Sequence, residues 1–295
     1  MMAGDYPALL DTLDRGAPVA LHGVSGGCIA DARIAEFADG GSVFVKSGDG
    51  AFLQEAVGLK ELAAARAIRV PAVLAVDDDA LVLERIESAP ACAGFFELFG
   101  RCFAQLHEYR GRACGFAADN TLGSTPQPNA PLAGEWDGLA DTPGDGAEWP
   151  EFFLERRLRF QVRLADRNGH GSALAHLLDR AEPVVRELLA AAPEPPSLLH
   201  GDLWSGNFIT DEAGEPCLID PAVYYGHREA DLAMTRLFGG FAPEFYAAYA
   251  EALPLAPGHA DRLPLYQLYH LLNHLNLFGG GYYAQSERIL RRFAR

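Results

Sequence analysis

Lysine is almost missing from this chain. Of its 24 basic residues, only Lys46 and Lys60 are lysines. A chain that otherwise uses arginine and then places a lysine is selecting a compact ammonium over a planar guanidinium fork. Basic residues as a class are also short against 40 acidic ones, leaving a formal net charge of -16. That balance excludes nucleic acid as a partner, because binding a phosphate backbone needs a basic face. Cysteine is sparse: Cys28, Cys92, Cys102, Cys114 and Cys217 are odd in number and show no metal-finger spacing. A disulfide framework and a structural zinc site are excluded, and a reducing compartment fits. Long apolar runs are absent, and "MMAGDYPALLDTLDRG" carries acids where a secretory leader has a basic patch and an apolar stretch. We expect a cytoplasmic chain with no membrane partner.

What is present is enough for a large core. With 49% hydrophobic residues over 295 positions, the chain is long enough for two lobes sharing a cleft. Residues 18–46 read as a hairpin followed by a third strand, "VFVK", that ends at Lys46. The hairpin tip holds Gly23, Ser25, Gly26 and Gly27, and bare backbone amides there can approach a phosphate with no Cβ in the way. A helix is expected over 51–67, with Glu55 on it, and two further strands around "DDD". A sheet lysine beside a helix glutamate is the pair that holds the α- and β-phosphates of ATP in protein kinases. Residues 84–88 read as the crossing between lobes.

Helical pattern dominates beyond the crossing. "FFELFGRCFAQLHEY" is a core helix in which His107 is a buried hydrogen-bonding histidine, and helices follow around "WPEFFLERRLRFQVRLA" and "SALAHLLDRAEPVVRELLAAA". Between the first and second of these, residues 111–148 make a Gly/Pro/Asn-rich connection longer than ordinary loops, hence either functional or disordered.

The densest chemistry lies in "LLHGDLWSGNFI", residues 198–209, and in the "CLID" that returns to Asp220. A short strand, a turn and a hairpin bring Asp202, Asn207 and Asp220 to one end. A carboxylate and a carboxamide make a hard oxygen set suited to Mg²⁺, which needs only one or two protein carboxylates. Asp202, kept free of metal, can accept the proton of an attacking hydroxyl. The His, Asp and Asn keep the separation of the protein-kinase catalytic loop, with Gly201 in place of its arginine and "IDP" in place of the metal-binding triplet.

The chain resembles the fructosamine kinase (ketosamine-3-kinase) family over nearly its whole length. The similarity is carried by "GVSGGCIADARI", "VFVK", "DNTLGSTPQPN", "WPEFFLERRL", "LLHGDLWSGNF", "IDPAVYYGHREADLAMTRLFGGF" and "LPLYQLYHLLNHLNLFGGGY". The resemblance implies an α+β, two-lobed protein-kinase-like fold. The N-terminal lobe, 1–86, would be a five-stranded antiparallel sheet plus a helix, and the C-terminal lobe, 87–295, mainly α-helical. It implies ATP- and Mg²⁺-dependent phosphorylation of a sugar hydroxyl, typically the 3-OH, of ketosamines such as fructosamines or ribulosamines, free or on a glycated protein. The phosphorylated product then breaks down to release the amine.

By position, the resemblance makes Asp202 the base and Asn207 and Asp220 the Mg²⁺ ligands. Lys46, positioned by Glu55, would contact the α- and β-phosphates under the cover of Gly23, Ser25, Gly26 and Gly27. Backbone groups of Leu83, Glu84, Arg85 and Ile86 would meet the adenine. Trp204 is a candidate for the sugar or the amine-bearing chain, or else a wedge between lobes, and His227 is a candidate for the acceptor pocket. Asp231 would brace the catalytic loop, and Cys28, beside the glycine turn, could act as a redox switch of that turn. Two other readings stay open: a kinase of an aminoglycoside, choline or similar hydroxyl compound, and a nucleotide-binding scaffold without catalysis. The oligomeric state is left open.

Overall fold

The β-branched run at Ser42–Ser47 lies at the centre of a five-stranded antiparallel sheet. The chain is described by a computed structural model covering residues 6–24, 31–136 and 142–294. The strands are β1 (Ala20–Gly23), β2 (Asp31–Glu36), β3 (Ser42–Ser47), β4 (Val73–Val76) and β5 (Ala80–Glu84), in the order β1-β2-β3-β5-β4. Alternation divides the sheet's faces. Val43 and Val45 join Leu9 and Leu10 of a short helix, α1 (Tyr6–Asp11), in one apolar cluster. Phe44 and Lys46 fall on the other face, where Leu81 and Leu83 pack with Phe52, Ala56 and Leu59 of α2 (Phe52–Ala65).

Helix α2 reaches beyond the small sheet. Leu62, near its C-terminal end, and Ile68 after it belong to the large apolar core that fills the rest of the chain. Gly58 faces Val223 so closely that an added Cβ would lie 3.1 Å from its methyl carbon, and the Tyr225 hydroxyl donates to Glu61 at 2.6 Å. A second tie is Arg69, which donates to Glu84 at 2.7 Å on one side and to Asp211 and Glu212 on the other.

The larger part is mainly helical, as expected. Its helices are α3 (Phe95–His107), α4 (Trp149–Phe152), α5 (Phe160–Ala165), α6 (Ala173–Ala190), α7 (Glu229–Leu237), α8 (Pro243–Ala252), α9 (His259–Phe278) and α10 (Tyr282–Phe293). Helices α4 and α5 are joined by a π-wound stretch, Phe153–Arg159. Three small two-stranded sheets complete it: β6 (Asn120–Leu122) with β7 (Thr125–Gln127), β8 (Ser197–Leu199) with β11 (Tyr224–Gly226), and β9 (Phe208–Thr210) with β10 (Pro216–Leu218). The long connection of residues 111–148 is therefore partly a hairpin, turning at Gly123 with φ +63. Among the described residues, no helix is long and apolar enough to cross a membrane.

Candidate active site

The scarce lysine is where two carboxylates meet. Lys46 Nζ, from β3, donates to Glu55 Oε1 at 2.6 Å and also to the carboxylate of Asp220, which comes from the other lobe. Burial alone would lower the Lys46 ammonium, but the charges of Glu55 and Asp220 outweigh it and hold the ammonium above its ordinary value. Burial pushes the Glu55 carboxyl up against the opposing pull of Lys46.

The turn that carries Asp202 is fixed from beneath. Strand β8 hands over to His200, whose Nε2 donates to the Ile219 carbonyl at 3.0 Å while Nδ1 accepts the Asp202 N–H at 3.3 Å. Burial lowers the pKa of this imidazole. Asp231, in α7, accepts the N–H groups of His200 at 2.7 Å and Gly201 at 2.8 Å, one on each oxygen. It also faces His107 Nε2 at 3.3 Å, and the other nitrogen of that ring meets the Tyr249 hydroxyl at 2.7 Å. Gly201 has φ +83, and a Cβ there would lie 2.0 Å from the Ala222 carbonyl oxygen. The arginine of the protein-kinase loop has no room at this position.

Asp202 and Asn207 face each other across the turn. Asn207 Nδ2 donates to the Asp202 backbone oxygen at 2.8 Å and to its carboxylate at 3.1 Å. Burial raises the Asp202 carboxyl well above the usual range, Asn207 pulls it down, and the charges of Asp220 and Asp231 push it up again. A raised carboxyl is a stronger proton acceptor once ionised. Asp220 has a left-handed φ of +54 and an exposed side chain.

A divalent cation fits these residues. With its nitrogen end committed to Asp202, the Asn207 carboxamide keeps its oxygen for a cation, and the Asp220 carboxylate is the second hard donor. Mg²⁺ would ask only one or two carboxylates of the protein and complete its shell with water and phosphate oxygens.

The remaining predicted residues are spread more widely. Leu83 and Glu84 end β5, with Leu83 buried and the Glu84 carboxylate turned to Arg69 and to the Ala72 N–H. Arg85 donates to Ser42 Oγ at 3.1 Å, and Ile86 follows in the crossing. Gly23 ends β1, whereas Ser25, Gly26, Gly27 and Cys28 lie outside the described residues. Trp204 stays 39% exposed within the Asp202–Asn207 turn, its indole over Gly206. His227 requires a correction. It is 3% exposed, with Nε2 donating to the Ala192 carbonyl at 2.9 Å and Nδ1 3.2 Å from Glu194. Both ring nitrogens are spent in the core, so no edge of the imidazole is left for an acceptor.

The fructosamine kinase family model matches residues 10–295. The chain belongs to the fructosamine kinase family. Among its relatives, a Synechocystis sp. protein named as a probable ketoamine kinase is 41% identical over 92% of this chain and 89% of its own. The chloroplastic protein-ribulosamine 3-kinase of Oryza sativa subsp. indica is 38% identical over 99% of this chain and 84% of its own. A solved Thermobifida fusca protein assigned as a fructosamine-3-kinase superposes with a TM-score of 0.82 at 33% identity, covering 97% of both chains. The choline kinase of Streptococcus pneumoniae, at 13% identity and a TM-score of 0.64 over 97% and 98% of the two chains, shares the fold alone. Family membership gives the enzyme class, a phosphotransferase with an alcohol group as acceptor, and the two-lobed kinase-like fold.

Proposed function

We propose that this fructosamine kinase family member phosphorylates a sugar hydroxyl, expected to be the 3-OH, of ketosamines such as fructosamines or ribulosamines, with ATP as donor and Mg²⁺ as cofactor. The observation that carries the reading is the meeting of Lys46, Glu55 and Asp220 beside the Asp202–Asn207 pair. The names of the Synechocystis and rice relatives support the choice of acceptor, and unpaired Cys92, Cys102, Cys114 and Cys217 fit a cytoplasmic setting. The lobes divide at residue 86, just past the end of β5.

Each residue has a distinct task. Asp202 accepts the proton of the acceptor hydroxyl as that oxygen attacks the terminal phosphorus and the bond to the departing ADP oxygen breaks. Asn207 and Asp220 would hold Mg²⁺, which would supply neutralisation of the phosphate charge. Lys46, oriented by Glu55, contacts the α- and β-phosphates. By the family resemblance, Gly23, Ser25, Gly26 and Gly27 would cover them, and the backbone of Leu83 to Ile86 would receive the adenine. Trp204 offers an aromatic face to the acceptor. Little covalent chemistry is asked of the protein, so rate comes from positioning.

The test is Mg²⁺-dependent ATP consumption by the wild type and Asp202→Asn against fructoselysine, ribuloselysine, choline and kanamycin. Turnover with a ketosamine alone, abolished by the substitution, is the expected result. Turnover on choline or kanamycin alone would replace the acceptor, and tight ATP binding with no turnover on the panel would overturn the kinase reading.

A further inference from the structure

The hairpin β6–β7 carries "DNTLGSTPQ", a stretch that the reaction described above leaves without a task. Its side chains reach the segment that follows Asp220. Asn120 Nδ2 donates to the Val223 carbonyl at 2.9 Å, and Gln127 Nε2 donates to the Ala222 carbonyl at 3.0 Å. Ala222 is itself a junction, since its N–H donates to the His200 carbonyl at 2.9 Å and its oxygen lies over Gly201. Two amides of the hairpin thus hold the point where the chain leaving Asp220 touches the turn carrying Asp202.

A carboxamide can face either way, and the network fixes these. Arg157, fully buried in the π-wound stretch, donates to Asn129 Oδ1 at 2.7 Å and to the Pro128 carbonyl at 2.6 Å, with its guanidinium 4.0 Å over the Tyr224 ring. Among the described residues the acceptors of its hydrogen bonds are the Pro128 and Arg156 carbonyls and the Asn129 carboxamide oxygen, none of them a carboxylate. A guanidinium only donates, so Asn129 must present its oxygen to it and its nitrogen onward. Asn129 Nδ2 donates to Asn120 Oδ1 at 2.9 Å, and Gln127 Nε2 donates to the same oxygen at 2.7 Å. Asn120 is thereby left with its nitrogen end for Val223. At Gln127, the Tyr269 hydroxyl donates to Oε1 at 2.6 Å and fixes that amide in the same sense.

We propose that Asn120 and Gln127 are positioning residues for the Asp202–Asp220 centre, and that the buried Arg157 and the Tyr269 hydroxyl set the direction in which their amides donate. The idea takes Asp220 as a metal ligand and in that respect rests on the proposed function. A buried cation without a carboxylate is costly, and holding three carboxamides in one sense gives it a role.

The test compares Gln127→Met and Tyr269→Phe with Leu290→Val, a core substitution in α10 away from the site, in metal-free protein and then with Mn²⁺ and ADP. We expect Gln127→Met to speed amide exchange of peptides covering 219–223 about tenfold, and Mn²⁺ affinity read by electron paramagnetic resonance to fall about tenfold. Tyr269→Phe should shift both readouts in the same direction by less, and Leu290→Val neither. Should Gln127→Met fail to fold, Tyr269→Phe alone carries the test. Exchange and affinity within about twofold of wild type in every folded variant, or equal changes in Leu290→Val, would overturn the proposal. Absence of Mn²⁺–ADP binding by the wild type would instead overturn the reading of Asp220, and the exchange of 219–223 would still decide the hairpin's part.

Discussion

One nitrogen of Asn207 donates to both the backbone carbonyl, at 2.8 Å, and the carboxylate, at 3.1 Å, of Asp202. The candidate metal ligand and the candidate base are therefore a single unit. Asn207→Asp exchanges the donor for a second carboxylate and leaves Asp202 facing a like charge. We expect kcat to fall by about 10²-fold or more. The acid limb of the pH–rate profile should also move to higher pH, because Asn207 lowers the Asp202 carboxyl. Steady-state kinetics between pH 5 and 9 measures both.

Asp202→Asn separates activity from stability. Loss of the base is expected to lower kcat by about 10² to 10⁴-fold. The folded carboxyl sits above its ordinary value of 3.8, so its ionisation disfavours the folded state. The stability associated with its protonated form is complete below that ordinary value and is lost as pH rises through the folded one. The asparagine variant should therefore melt higher than the wild type at pH 8, with the difference closing under acid conditions. Thermal unfolding of metal-free protein at both pH values decides; a lower melting temperature for the variant at pH 8 would reject the assigned cause of the shift.

Gly201→Ala asks a non-glycine residue to adopt φ +83 with its Cβ 2.0 Å from a backbone oxygen. The conformation alone costs about 1–2 kcal/mol, and the Ala222 carbonyl cannot yield without releasing Gln127. Denaturant unfolding should show a loss greater than that, together with loss of turnover. An unfolding midpoint equal to the wild type's would contradict the geometry.

Lys46→Arg keeps the charge and loses the compact head. The ammonium bridges Glu55 and Asp220, and a planar fork cannot occupy the same point. We expect the KM for ATP to rise about tenfold with folding intact, which kinetics and circular dichroism together would establish.

Legibility in the sequence followed the range of the interactions. The sheet, α2 and the hairpin returning to Asp220 were readable because alternation, helical spacing and turn residues are local signals. Helix α1 was not, since six residues give too little periodicity, and only packing of Leu9 and Leu10 under the sheet reveals it. His227 read as a pocket residue from its nearness to Asp220 in the chain, yet its partners Ala192 and Glu194 lie more than 30 residues back. The 120–127 hairpin was hidden for the same reason, because its amides answer carbonyls about 100 residues downstream. A Gly-Ser turn inside a loop-like composition could have suggested the hairpin, but not its target.

Helix α2 enters two cores at once: Phe52, Ala56 and Leu59 pack under the small sheet, while Leu62 packs in the large one. It works as a dowel through the seam between the lobes, pinned by Tyr225 at Glu61. Glu55 is on the dowel and Lys46 is on the sheet that hangs from it. From that mounting Lys46 donates both to Glu55 on the dowel and to Asp220 beyond the seam, so one ammonium joins the two halves of the site.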